Sequence, residues 1–221
     1  MNKLINTPID QKNIGLAKLL FELRQDLDIY CLISVNAEKI NERGIGKKFF
    51  GRIQQLAHIS ITLNICKIFE KEKEKKKKHE LNSIQGVLHH LIAEAPTELD
   101  DAKLRDFIQK YQGPSDQGNL ISALQSTTHG FRDKCKVELG RFKEFRNKKA
   151  AHSEYNIPID KLPSYDVMEN LFFFGADFYN LISAGFVGVT PYDLRTGRRV
   201  KISLKRLLQE LGLEAIKTEM E

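Results

Sequence analysis

The sequence predicts an all-α protein, and three observations carry that expectation. Glycine and proline are sparse, 14 and 6 of 221 residues. Long segments repeat their apolar residues at the 3.6-residue helical period. No succession of short alternating runs separated by turn signals suggests a sheet. With 41% apolar residues the chain has enough material for a real core.

Taken in order, residues 10–42 read as one or two helices, with Leu16, Leu19, Leu20, Leu23, Leu27, Tyr30 and Ile33 at helical spacing and the RGIG of residues 43–46 as the stop. Residues 47–73 form a second long helix whose packing face would hold Phe49, Phe50, Ile53, Leu56, Ala57, Ser60, Leu63, Asn64, Lys67 and Ile68. The charged run KEKEKKKKHE at 71–80 reads as a solvated helix end or loop. Shorter helices at 83–93 and 100–111 are ended by Pro96 and by GPSDQG at 113–118.

Asn119 then opens what the pattern predicts to be the longest uninterrupted helix, reaching about residue 151. After a proline-containing loop, residues 165–182 form an aromatic helix. The stretch GFVGVTPYDLRTGRRV is turn-rich, with a small hairpin expected around Thr196 and Gly197, and a last helix follows at 204–217. The expected division is a helical bundle over residues 1–183 and a turn-rich segment with a terminal helix over 184–221, packed on the same domain.

Cys31, Cys66 and Cys135 are widely spaced, odd in number and without metal-ligand spacing, so they are expected as buried small apolar residues and not as disulfide partners. The first 20 residues lack a continuous apolar core with a cleavage site, and no 18-residue apolar run occurs. A cytoplasmic protein with no membrane partner is therefore expected. A P-loop, a dinucleotide fingerprint, a Ser/His/Asp triad and a metal-ligand cluster are all missing from the motifs, so no cofactor and no metal is expected.

Net charge is +6, which favours anionic partners. Its distribution is more informative. Between residues 132 and 149 lie eight basic residues (Arg132, Lys134, Lys136, Arg141, Lys143, Arg146, Lys148 and Lys149) against three acids (Asp133, Glu138 and Glu144). On an ideal helix Phe131, Cys135, Leu139 and Phe142 fall in one arc, with Phe145 about 60° aside. Continuing the projection puts Arg146 about 40° to one side of Phe142, and Lys149 about 20° and His152 about 80° to the other.

The buried arc thus turns cationic in its last two turns. Burying unpaired charge costs several kcal/mol, so this helix end is expected to open onto a cleft or a second subunit. Arginine offers a donor fork matched to phosphate, and histidine can exchange a proton near neutral pH. The competing reading is structural: Arg146 paired with Glu144 or Asp160, and His152 ending a helix where its charge suits the dipole. Arg52 and His58 repeat the same Arg-x5-His spacing inside an apolar helix interior, and a chance match to so loose a spacing is expected. His58 is read as structural.

The segment FRNKKAAHSE resembles the Arg-x(4–6)-His signature of the HEPN superfamily, in which the residue after Arg is typically Asn, Asp or His and the His is often preceded by Ala. With the stretch of residues 49–91, which begins in the second helix, before it and YDVMENLFFFGADFYNLI after it, the order of elements is similar to the abortive-infection AbiU-type branch, over roughly residues 10–183. In HEPN toxins silenced by tyrosine modification, Tyr stands two residues after the His. Here that place is Glu154, with Tyr155 next.

The resemblance implies a helical bundle that dimerises so that two Arg/His pairs face each other in one metal-independent ribonuclease site. Arg146 would hold the scissile phosphate, His152 would transfer protons, and Asn147 would orient the pair or bind phosphate. Arg141, Lys143, Lys148 and Lys149 would contact RNA. The expected partners are RNA, a second copy of the chain, and an antitoxin or other regulatory protein. Two further readings stand beside this one: a non-catalytic module that binds RNA, nucleotide or a partner protein through the same helix end, and an interaction protein in which Arg146 and His152 only build an interface.

Overall fold

The computed structural model describes residues 15–70, 83–94, 101–114, 119–150, 163–184, 194 and 199–213. Among these residues all regular structure is helical: α1 (Leu16–Val35), α2 (Ala37–Arg43), α3 (Lys47–Ile68), α4 (Ile84–Glu94), α5 (Asp101–Lys110), α6 (Leu120–Lys134), α7 (Lys136–Phe145), a π-helical turn at Arg146–Ala150, α8 (Tyr165–Ile182) and α9 (Arg199–Glu210). No described helix is long and apolar enough to cross a membrane.

Local chemistry explains most of the boundaries. Gly44 takes φ +66° and donates to the Ile40 carbonyl, ending α2 in a conformation that costs a side-chain-bearing residue energy. The Asn119 side-chain Oδ1 accepts from the backbone N–H groups of Ile121 and Ser122 at 2.9 and 3.3 Å, opening α6. Ser164 does the same for Val167 at the start of α8.

The centre of the bundle is the antiparallel pair α1 and α3. Gln54 donates to Ser34 at 2.7 Å, Tyr30 lies 5.7 Å from the His58 ring, and Asp26 shares a hydrogen bond with Ser60, so residue numbers fall on one helix as they rise on the other. α8 crosses this pair at Gly175, where a Cβ would sit 2.8 Å from Leu20 and 3.7 Å from Ile68. Beyond the crossing lies an aromatic nest. Phe174 stacks on Phe131 at 3.7 Å and 5°, and meets Tyr111 edge-on at 4.7 Å and Phe107 at 5.6 Å. The rim of this nest is polar: Tyr111 donates to Asp177 at 2.6 Å, and Lys110 pairs with the same carboxylate.

Among the described residues one ion pair is buried. Arg24 binds Asp28 at 2.9 Å, approaches Glu169 of α8 at 3.7 Å and lies over the Phe172 ring. Asp26, two residues on, is a partly buried carboxyl with no ion pair among the described residues. Burial pushes its pKa up to about 6 from the ordinary 3.8, against the Ser60 hydrogen bond, and the charge of Glu22 adds to the rise.

A carboxyl whose folded value is raised stabilises the fold most below the unfolded value, and that contribution is lost as pH rises through about 6. Asp26→Asn, which keeps the hydrogen bond but not the charge, is therefore expected to stabilise the protein at pH 8. The gain is about 1–2 kcal/mol once solvent screening of a partly exposed group is allowed for, or roughly 3–6 °C in Tm. Near pH 4 the gain should nearly vanish. Thermal unfolding of both proteins at the two pH values checks the sign; an equal shift at both would remove the charge from the explanation.

Four expectations are corrected. The helix expected over 119–151 is broken at Cys135, whose φ −93° and ψ 16° end α6 before α7 restarts at Lys136. In α6 the Thr127 and Thr128 hydroxyls bond back to the Ala123 and Leu124 carbonyls, a pattern that loosens helical register. Second, α3 ends at Ile68 and its buried residues are Phe50, Ala57, His58, Ile61, Thr62, Asn64, Ile65 and Ile68, while Phe49 and Leu56 remain exposed. Packing against α1, α7 and α8 rotates the buried arc away from the expected face.

Third, the last helix runs from Arg199 to Glu210, because Gly212 at φ +65° stops it and Leu213 donates to the Leu208 carbonyl at 2.7 Å. Fourth, Cys31, Cys66 and Cys135 are all partly exposed. The charged run at 71–80 and the hairpin expected around Thr196 and Gly197 lie outside the described residues.

Candidate functional site

The candidate site is set by an anchor one residue before it. Phe142 and Phe145 are the buried residues of α7, and Phe145 meets the His58 imidazole edge-on at 4.9 Å and 70°. Tyr30 packs on the same imidazole, so His58 ties α1, α3 and α7 together. Burial lowers its pKa, which keeps the ring neutral where aromatic neighbours surround it. The role expected for His58 from its apolar context is the one its surroundings describe.

Directly after this anchor the backbone widens into the π-helical turn of residues 146–150. Its i→i+5 bonding departs from the 100° register on which the projected angle of Lys149 depended. Gly140 lies inside α7, and the departures from the ideal helix are at Cys135 and here.

Arg146 is half-buried, and its Nε and Nη2 both donate to the Asn147 side-chain oxygen, at 3.2 and 3.1 Å. One edge of the guanidinium fork is thus held by a neutral amide. Glu144, the nearest acid in sequence, accepts from Lys148 at 2.6 Å. Among the described residues no carboxylate is paired with Arg146. The structural reading in which Glu144 neutralises Arg146 is therefore not what these residues build, and Asp160 lies outside the described residues.

The cationic field of this turn reaches α3. Burial pushes the Cys66 thiol up, and the charges of Arg146 and, more weakly, Lys143 oppose that rise, with Glu70 adding to it. Of the residues expected to contact RNA, Lys143 and Lys148 are exposed close to Arg146 in the chain, whereas Arg141 stands about 140° around α7 from it. Lys149 belongs to the π turn, with its side chain outside the description, and His152 lies outside the described residues. Among the described residues no group of three His, Cys, Asp or Glu is placed to hold a metal ion. Cys66 carried no sequence signal as a neighbour of this turn, since only the way the helices cross brings it there.

A basic helix end, locked by an Arg–Asn pair and anchored on an aromatic-histidine contact in an all-α bundle, defines a helical module whose arginine has no carboxylate partner among the described residues. Over residues 15–202 the chain matches the family model HEPN_AbiU2, described as AbiU2, and it belongs to that family of HEPN-type abortive-infection modules. The match extends past residue 183, where the resemblance read from the sequence ended, into the turn-rich segment. No match was found among curated proteins or among solved structures.

Proposed function

We propose that this chain is a metal-independent endoribonuclease of the HEPN type, acting in bacterial abortive infection or as a toxin, whose site is completed by a second copy. The observation that carries the reading is the half-buried Arg146 guanidinium, held by Asn147 and without a carboxylate partner among the described residues. An arginine whose charge is not cancelled locally, beside Lys143 on a basic helix end, is suited to an anionic ligand with paired oxygens.

RNA supplies its own nucleophile. In the proposed reaction the 2′-oxygen attacks the adjacent phosphorus as a base removes its proton, and the P–O5′ bond breaks as an acid protonates the leaving oxygen. His152 of the two copies would serve as that base and acid. Arg146 would bind the non-bridging oxygens, where negative charge grows, and Asn147 would keep the guanidinium plane oriented. Lys143, Lys148, Lys149 and Arg141 would hold flanking phosphates, with Lys148 weakened in that role by Glu144. Neither protomer alone would be active, because each carries one Arg/His pair.

The products test the chemistry. With purified full chain, cleavage should persist in excess chelator, leave 2′,3′-cyclic phosphate and 5′-hydroxyl ends, and spare DNA. A substrate with one 2′-deoxy nucleotide at the cut position should resist. Equal cutting of that substrate, or loss of cleavage on chelation, overturns the mechanism. Small-angle scattering at micromolar concentration should show a dimer, and a monomer there would remove the composite site. RNA binding with no cleavage would leave the non-catalytic module as the function.

A further inference from the structure

Exposed and half-buried apolar residues of α3 and α9 converge. Phe49, Ile53, Val200, Leu204 and Leu207, with buried Phe50, line an almost wholly apolar groove of about 400 Å³ between the first turns of α3 and the length of α9. Phe49 is 59% exposed and Leu207 43%. Beneath the groove, Phe50 and Leu208 pack with Ile33, Ile40 and Leu213 into a small second core, so the floor rests on a fixed base.

The two walls are built alike. At about 100° per residue, the stripe on α3 (Phe49, Ile53) has its buried neighbour Phe50 on one side and Arg52 and Lys48 on the other. The stripe on α9 (Val200, Leu204, Leu207) has buried Leu208 on one side and Arg199 and Arg206 on the other. All four cations are exposed. Arg52 donates to the neutral Gln55 at 2.9 Å, and among the described residues none of the four is paired with a carboxylate. α3 contains no acid at all, and α9 has only Glu210 at its far end.

We propose that this groove docks an amphipathic helix of a partner protein, one that places apolar side chains at i, i+3 or i+4, and i+7 on the floor and acidic residues against Lys48, Arg52, Arg199 and Arg206. The length fits: Val200 to Leu207 spans about 10 Å, two helical turns, the reach of such a set of anchors. Charge decides between occupants. A second copy of this chain docked here about a two-fold axis would set the same four cations against themselves, with like-charge repulsion and, on α3 and α9, only Glu210 to offset it. A bilayer, being flat, does not fill a floor recessed between two helices.

The test uses a labelled, stapled helical peptide of about four turns with leucine at i, i+3 and i+7 and glutamate on both flanks, titrated against the full chain by fluorescence anisotropy. Its glutamate-to-lysine counterpart and vesicles of phosphatidylglycerol and phosphatidylcholine are titrated beside it. The acidic helix should bind saturably and about tenfold or more tighter than the lysine form, and the double variant Arg199→Glu, Arg206→Glu should weaken it about tenfold with Tm unchanged. Leu204→Asp should abolish binding; Phe49→Asp, at an exposed position, gives the same readout if Leu204→Asp does not fold. The proposal is overturned if the acidic helix does not bind, if both peptides bind equally, or if the variants change nothing. It is equally overturned if vesicles bind in preference, or if the chain self-associates through this face and Phe49→Asp abolishes that association.

Discussion

Replacing Arg146 by alanine is expected to lower RNA cleavage by about 10²–10³-fold, the usual loss when one charged stabiliser of a developing oxyanion is removed, while Tm moves by less than about 2 °C. The separation follows from where the side chain sits. Its described hydrogen bonds go only to the neighbouring Asn147 at an exposed position, so the fold loses little when they go. Removing a cation from a basic turn also relieves repulsion with Lys143. His152→Ala should behave likewise.

His58→Ala should do the reverse, because the imidazole is 8% exposed and wedged between Tyr30 and Phe145. Its loss opens a cavity among three helices and should cost about 2–3 kcal/mol, with cleavage retained at temperatures where the variant stays folded. Cleavage and thermal unfolding measured on the same preparations decide between the two Arg-x5-His copies. If His58→Ala abolished cleavage without loss of stability, the site would belong to the copy containing Arg52.

The largest effect on stability is expected at Phe174. It is 1% exposed, lies flat against Phe131, meets Tyr111 and Phe107, and approaches Phe69, so one ring joins α8 to α5, α6 and the end of α3. Phe174→Ala should cost about 3–5 kcal/mol, or roughly 8–15 °C in Tm. Phe174→Leu, which restores most of the volume but not the flat contact, should lose about 1–2 kcal/mol. Urea unfolding with an unchanged m-value checks that the folded state itself is weakened. A loss below about 1 kcal/mol for the alanine variant would mean that the nest repacks.

Those two sites also differ in how far the sequence revealed them. Phe174 lies in the run LFFFGADFYNL, whose burial and helical state follow from composition and from the Ser164 cap. The basic run holding Arg146 is equally visible. That the Arg146 fork would be held by Asn147, and Glu144 taken by Lys148, was not. An i,i+4 pair such as Glu144 and Lys148 is favoured on any helix, but here it spans the start of the π turn, which comes directly after the Phe145–His58 contact in the chain.

Helix starts and stops were set by the sequence itself wherever a polar or glycine residue satisfies the backbone groups within four positions, as at Gly44, Asn119 and Ser164. Those interactions need no distant partner. The break at Cys135, the π turn, the rotated face of α3 and the groove beside α9 were decided only in the folded bundle. Each depends on how helices far apart in the chain cross, where Gly175 lets α8 close onto Leu20 and Ile68 and where Phe50 and Leu208 share one small core. Periodicity shows that a helix has an apolar side; only the packed neighbours choose which of its apolar residues stay in water.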